Sequence, residues 1–293
     1  LASNFTDLYV EFDNASIGSQ EFLAVLETHN TPLLTTWHLS ERTLKDGTRK
    51  ISFRRKVLNL NEELISSYPC YDAESLTREL LELILLKFPD RALLGEVLVA
   101  IYLYHPTSTA KIAFSPRFIN ALRTLKADLW VDGYTNLANV YPNHAAERYT
   151  GKRVSVGINC EGDLGSRTLR ISILSALNDW RVDLGLFGNG RLVDCLIPSD
   201  GVCLDVLYKV PSCADWIQFL RTLLLSCSLS PGFIELASRS PLELSVYLDT
   251  DQLSWTFELH FDQLAMIDTL FSKGFVLHGI CAGRPAGEEL GRW

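Results

Sequence analysis

One segment of this chain occurs twice. Val99-Ala-Ile-Tyr-Leu-Tyr104 returns as Leu244-Ser-Val-Tyr-Leu-Asp249, 145 positions later. The same spacing carries Ile112-Ala-Phe114 onto Phe257-Glu-Leu259, and Thr124-Leu125 onto Thr269-Leu270. Two loops of equal length, His105 to Lys111 and Thr250 to Thr256, separate the matched strands. Solenoid units run to roughly 20–50 residues, so this period is too long for one. It has the length of a whole domain.

The correspondence extends upstream. Ile17-Gly-Ser-Gln-Glu-Phe22 answers to Leu164-Gly-Ser-Arg-Thr-Leu169, and Trp37 to Trp180. Leu76, Leu80, Leu83 and Ile84 answer to Trp216, Leu220, Leu223 and Leu224. The offset drifts along the chain, as it does when insertions collect in loops while packed elements keep their length.

Within the first copy, Leu8 to Phe12 reads as a strand and Gln20 to Thr28 as a short helix behind Ser19. The turn Lys45-Asp46-Gly47 introduces Arg49-Lys50-Ile-Ser-Phe-Arg54-Arg55-Lys56, whose alternation predicts a hairpin strand with a charged, solvated edge. Asp72 is expected to cap a helix with Leu76, Leu80, Leu83 and Leu86 at helical spacing. Val97 to Tyr104 is then a buried strand with Lys111 to Phe114 as its partner, and Ser115-Pro116 opens a helix that leads to Leu129-Trp-Val131. The second copy repeats the plan from Val154 to Ile280, with Gly188-Asn189-Gly190 as the hairpin turn and Asp262 as the cap of its last helix.

Hairpins alternating with helices predict an α+β fold. The expected arrangement is two similar α/β-sandwich modules in tandem, an internal duplication, with antiparallel or mixed sheets and helices on one face. The modules are residues 1–135 and 153–285, joined by a linker at 136–152 and followed by a tail at 286–293. At 293 residues and 47% hydrophobic, the chain has material for two cores. No apolar run reaches the ~20 residues of a membrane span, and Leu1-Ala-Ser-Asn lacks the basic start of a secretory signal. Seven cysteines without a CxxC pair fit a reduced, cytoplasmic setting.

The net charge of −8 argues against nucleic acid as a partner and suits a basic protein. The second half is the more acidic. There is no P-loop, GxGxxG or GxSxG motif, so no cofactor, metal or catalytic residue is assigned and the chain is not expected to be an enzyme. Glu258 and His260 alternate on a strand, and His260 and His278 flank the last helix; an exposed strand face and structural histidines account for them. Tyr104, His105 and Thr107 are set against Asp249, Asp251 and Trp255 at the matched loops. An acidic loop beside a tryptophan has the composition of an interface anchor, which makes Asp249, Asp251 and Trp255, with the pair Glu161 and Asp163, the expected partner-binding residues.

The segments Pro32-Leu-Leu-Thr-Thr-Trp37, Val97-Leu-Val-Ala-Ile-Tyr-Leu-Tyr104, Phe114-Ser-Pro-Arg-Phe-Ile-Asn-Ala-Leu122 and Ala127-Asp-Leu-Trp-Val131 together resemble the small bacterial α+β domain DUF4279. The resemblance covers most of residues 5–134 and, more faintly, 154–282; the Imm52-type immunity protein of a type VI secretion toxin is a near rival. The second half departs from the pattern at Phe257-Glu-Leu-His-Phe-Asp262, where no Ser-Pro opens the helix. The resemblance implies an immunity protein that neutralises a cognate bacterial toxin, such as a nuclease effector, by stoichiometric contact. It transfers no functional residue. A hydrolase or small-molecule-binding domain using a cleft between the modules is the alternative.

Overall fold

The computed structural model describes residues 5–27, 36–58, 71–105, 109–135, 152–161, 190–193, 201–210, 241–250 and 254–281, with scattered helical positions between 220 and 238. The fold is α+β, built on two six-stranded mixed sheets.

In the first part of the chain, β1 (Phe5–Asp13) leads to helix α1 (Ser19–Glu27) and the hairpin β2 (His38–Thr43) and β3 (Arg49–Leu58). Helix α2 (Tyr71–Lys87) and a 3-10 turn (Arg91–Leu94) precede β4 (Glu96–His105), β5 (Thr109–Phe114), helix α3 (Pro116–Leu125) and β6 (Asp128–Thr135). The later part contributes β7 (Lys152–Glu161), β8 (Gly190–Val193), β9 (Gly201–Val210), β10 (Leu242–Thr250), β11 (Ser254–Leu259), helix α4 (Phe261–Leu270) and β12 (Phe275–Cys281).

The first sheet has the order β11-β6-β4-β1-β3-β2 and the second β5-β12-β10-β7-β9-β8. These orders match strand for strand when the two parts of the chain are exchanged. Each sheet takes one strand from the other part. β5 pairs with β12, Ile112 opposite Leu277, and β11 pairs with β6, Phe257 opposite Val131. The expected pairing of Lys111–Phe114 with Val97–Tyr104 is therefore corrected. β4 and β5, consecutive in the chain, lie in different sheets. The physical reason is burial: β5 is apolar on one face, with Ala110, Ile112 and Phe114 all buried. Beside β12, Phe114 stacks on Phe275 at 4.5 Å between ring centroids.

Burial follows the two-residue strand period. Leu8, Val10 and Phe12 of β1, Val99, Ile101 and Leu103 of β4, and Leu129 and Val131 of β6 are buried. Helix α1 covers this face through Phe22, which lies 4.9 Å from Phe12 and 4.5 Å from Phe88 just beyond α2. On α2 the buried stripe is Ala73, Thr77, Leu80, Leu81 and Ile84. Leu86, expected inside, is 71% exposed, because α2 turns its Leu80–Leu81–Ile84 side inward. One contiguous core joins Leu8 and Phe12 to Leu244, Phe257 and Phe275, so both parts of the chain share it.

Helix ends are tied across the fold. Ser115 caps α3, with Pro116 in the first turn as expected; its Oγ accepts from the Phe118 amide at 3.2 Å and donates to buried Glu74 of α2 at 2.5 Å. At α4 the expected cap Asp262 is displaced. The cap is His260, and Asp128, at the start of β6, accepts from the Phe261 amide at 2.9 Å. A carboxylate from another strand reaches the exposed amides of the helix start, which attract negative charge. Gln263 completes the cap by accepting from the His260 amide at 2.9 Å, and Arg123 of α3 pairs with Asp268 of α4 at 3.0 Å.

The Lys45–Gly47 turn forms as expected, with Gly47 at φ +88° and the Leu44 amide donating to the Thr48 carbonyl at 2.8 Å. The basic strand β3 is not the edge, however; β2 is. Lys50 and Arg54 answer carboxylates on β1 instead, Lys50 to Glu11 at 2.6 Å and Arg54 to Asp7 at 3.1 Å. Among the described residues, no helix is long and apolar enough to cross a membrane.

Candidate functional site

The face of the first sheet that points away from its helices carries a different chemistry. Alternation places Asp7, Tyr9 and Glu11 of β1 there, with Tyr102 and Tyr104 of β4, Trp130, Asp132 and Tyr134 of β6, and Arg54 and Lys56 of β3. Register sets them in rows across the sheet. Lys56, Asp7, Tyr102 and Asp132 form one row, and Arg54, Tyr9, Ala100 and Trp130 the next.

The aromatic rings are organised. Phe5 stacks on Tyr104 at 4.2 Å and Tyr104 on Tyr134 at 5.0 Å, a three-ring ladder across β1, β4 and β6. Tyr9 meets Tyr102 edge to face at 5.4 Å. Parallel and edge-on contacts of this kind add to the energy of burial. Tyr134, at the end of the ladder, is 36% exposed.

Two carboxylates lie among the rings. Asp132 is buried and accepts two hydrogen bonds, from Trp130 Nε1 at 2.7 Å and the Tyr134 hydroxyl at 3.1 Å. Both donors are neutral. Asp7 is buried too; one of its oxygens takes the Arg54 guanidinium at 3.1 Å, and Oδ1 has no hydrogen-bond partner. Burial raises the Tyr102 and Tyr134 hydroxyls, and the nearby charge of Asp132 raises them further, Tyr134 to about 12. The surface also holds the chain's own cations against ring faces, with Arg54 over Tyr9 at 5.2 Å and Lys56 over Phe5 at 3.7 Å.

The residues expected to bind a partner fall elsewhere. Trp255 on β11 is buried, opposite Gly133 of β6. A Cβ built on Gly133 of the first sheet, or on Gly279 of the second, would fall within the indole. Trp255 therefore fills the space above both glycines and ties the sheets together. Its counterpart on β5 is Ala110, opposite Gly279. One large ring on the edge strand of the first sheet stands where the equivalent strand of the second sheet has only a methyl. The two glycine surfaces meet there, and a second tryptophan would have no volume left to fill. Asp249 lies near the end of β10 beside Ile280 of β12, and Glu161 ends β7 opposite Gly201; their side chains, with Asp251 and Asp163, lie outside the described residues.

The proton-transfer candidates separate. β11 ends at Leu259, so His260 does not share a strand face with Glu258. His260 lies 3.2 Å from Asp128, whereas His278 sits on β12 opposite Lys111. Burial, with help from the Lys111 charge, lowers His278 to about 4. Cys227 is fully buried, which pushes its thiol up and leaves it unreactive. Among the described residues, no group of three His, Cys, Asp or Glu side chains could hold a metal ion.

Sequence reasoning missed the Tyr–Trp–Asp face. Its signal lies in the alternation of Ile-Tyr-Leu-Tyr104 and Leu-Trp-Val-Asp-Gly-Tyr134, where each second residue is aromatic or acidic. Which neighbours those positions meet is fixed only by strand order.

No family model and no curated protein matches the chain. Solved structures give only weak likenesses. The aldoxime dehydratase OxdRE in complex with butyraldoxime is 9% identical with a TM-score of 0.20, over 78% of this chain and 77% of that one. A bacterial light-regulated adenylyl cyclase is 10% identical with a TM-score of 0.19, over 83% and 72%. An insulinase family protease from Yersinia pestis is 10% identical with a TM-score of 0.24, over 98% and 89%. At these scores the likenesses carry no argument about fold or function.

Proposed function

We propose that this chain is an immunity-type protein of the DUF4279 kind, which binds a bacterial toxin stoichiometrically in the cytoplasm and blocks it by contact. The observation that carries the reading is the open face of the first sheet. Interface cores are enriched in tyrosine, tryptophan and arginine, and here Tyr9, Tyr102, Tyr104, Tyr134 and Trp130 gather around the carboxylates of Asp7 and Asp132. A face needed only for solubility would hold lysine and glutamate, without two buried carboxylates set among aromatic side chains. The net charge of −8 favours a basic partner by speeding encounter and rejecting acidic competitors. The matching strand orders of the two sheets support descent from one duplicated module.

The test is rescue. Cells expressing the toxin encoded beside this chain should survive when the chain is co-expressed, and the two purified proteins should elute as a complex. Tyr102→Ala with Tyr134→Ala should abolish rescue while the melting transition stays cooperative. If no neighbouring gene product is toxic, or the double variant rescues fully, the reading fails.

A further inference from the structure

On the open face of the first sheet the chain holds two of its own cations, Arg54 and Lys56, over ring faces. Arg54 is the fuller pattern: its guanidinium pairs with Asp7 at 3.1 Å and sits over the Tyr9 ring at 5.2 Å. Carboxylate, ring face and guanidinium make one complete arrangement on β1 and β3. The β4–β6 side of the same face repeats two of those three parts. Asp132 supplies the carboxylate and Tyr102, Tyr134 and Trp130 the rings, yet among the described residues no cation pairs with Asp132. Asp7, in the same row on the other side of Tyr102, adds Oδ1, a buried oxygen without a partner, on a side chain 9% exposed.

A buried carboxylate held only by neutral donors is costly unless a positive charge approaches it. Ring faces attract the same charge. A guanidinium suits the place better than an ammonium, because it is planar, stacks on tyrosine, and loses its hydration shell more readily.

We infer that the surface around Tyr102, Tyr134 and Asp132 is an arginine slot, which takes a guanidinium side chain from a basic partner protein. The inference deepens the immunity reading and rests on it for the partner's identity. The chemistry of the slot can be tested without the partner.

The Trp130 indole N–H donates to Asp132 and reports on it directly. In the intact protein its NMR resonance can be assigned through Trp130→Phe and followed during titration with N-acetyl-arginine amide. The expected result is a saturable shift, with no shift from the neutral isostere N-acetyl-citrulline amide. N-acetyl-lysine amide should bind more weakly. Asp132→Asn, which removes the charge, keeps an acceptor for the Trp130 indole and leaves the Tyr134 hydroxyl free to turn and accept from the new amide, should weaken arginine binding about tenfold or more, the effect of one charge-assisted contact. Tyr102→Leu, which leaves both carboxylates in place, should weaken it as well.

No saturable shift with arginine amide overturns the inference, as does an equal shift with citrulline amide. Lysine amide binding as tightly as arginine amide overturns the choice of guanidinium. A positive titration alongside failed rescue leaves the slot standing and removes the immunity reading. Full rescue with a negative titration does the reverse.

Discussion

The two faces of the first sheet are built from the same strands and obey different rules. On the helix-covered face, Leu8, Val10, Phe12, Val99 and Ile101 are sealed, and each side chain answers to volume. On the other face, Tyr9, Tyr102, Trp130 and Tyr134 surround Asp7 and Asp132, and what matters is where charge and ring faces lie. The first face explains why the chain folds. The second has features that folding does not require. Substitutions inside should therefore cost stability, and substitutions outside should cost binding.

The largest expected effect is on the sealed side. Trp255→Ala empties the space over Gly133 and Gly279 and should destabilise by about 3–5 kcal/mol, measured by chemical denaturation. A loss below 1 kcal/mol would show that the indole does not join the sheets.

Next comes a pH effect on the outer face of the second sheet. His278 is held near 4 in the folded state, below its ordinary 6.5. The unfolded chain therefore binds the proton more readily, and stability should fall as pH drops from about 6.5 to 4, by at most about 3 kcal/mol. His278→Gln should flatten that part of the stability–pH curve. An unchanged slope would assign the effect to other groups.

Gly279→Ala should cost about 1–3 kcal/mol, because its new methyl enters the indole. Most of that penalty should vanish when Trp255→Ala is already present, and simple additivity of the two would contradict direct contact. The smallest effect belongs to the open face. Tyr134→Phe removes one hydrogen bond to Asp132 and should cost about 1 kcal/mol or less. It should also remove the tyrosine that ionises near pH 12 from the alkaline absorbance titration. A large loss of stability would move Tyr134 into the folding core and blur the contrast between the faces.

Much of the architecture was legible in the residues. The two-residue period of β1, β4 and β6, the Ser115-Pro116 helix start and the Lys45–Gly47 turn are local signals, and each formed where expected. The candidate site was less legible. Trp255 stood out because it is a tryptophan near an acidic loop, and its burial depends on two glycines at distant positions in the chain. The Asp7–Tyr102–Asp132 row is assembled from three strands, and no single segment displays it.

The amino-acid sequence by itself determined the α+β class, the alternation of the strands and the turn chemistry, because these depend on residues within a few positions of one another. Only the tertiary structure decided that β5 and β11 change sheets, that Asp128 caps a helix from another strand, and that Trp255 bridges the two halves. Strand pairing is set by long-range burial and register, and an apolar strand such as Thr109–Phe114 fits more than one neighbour until the whole core closes around it.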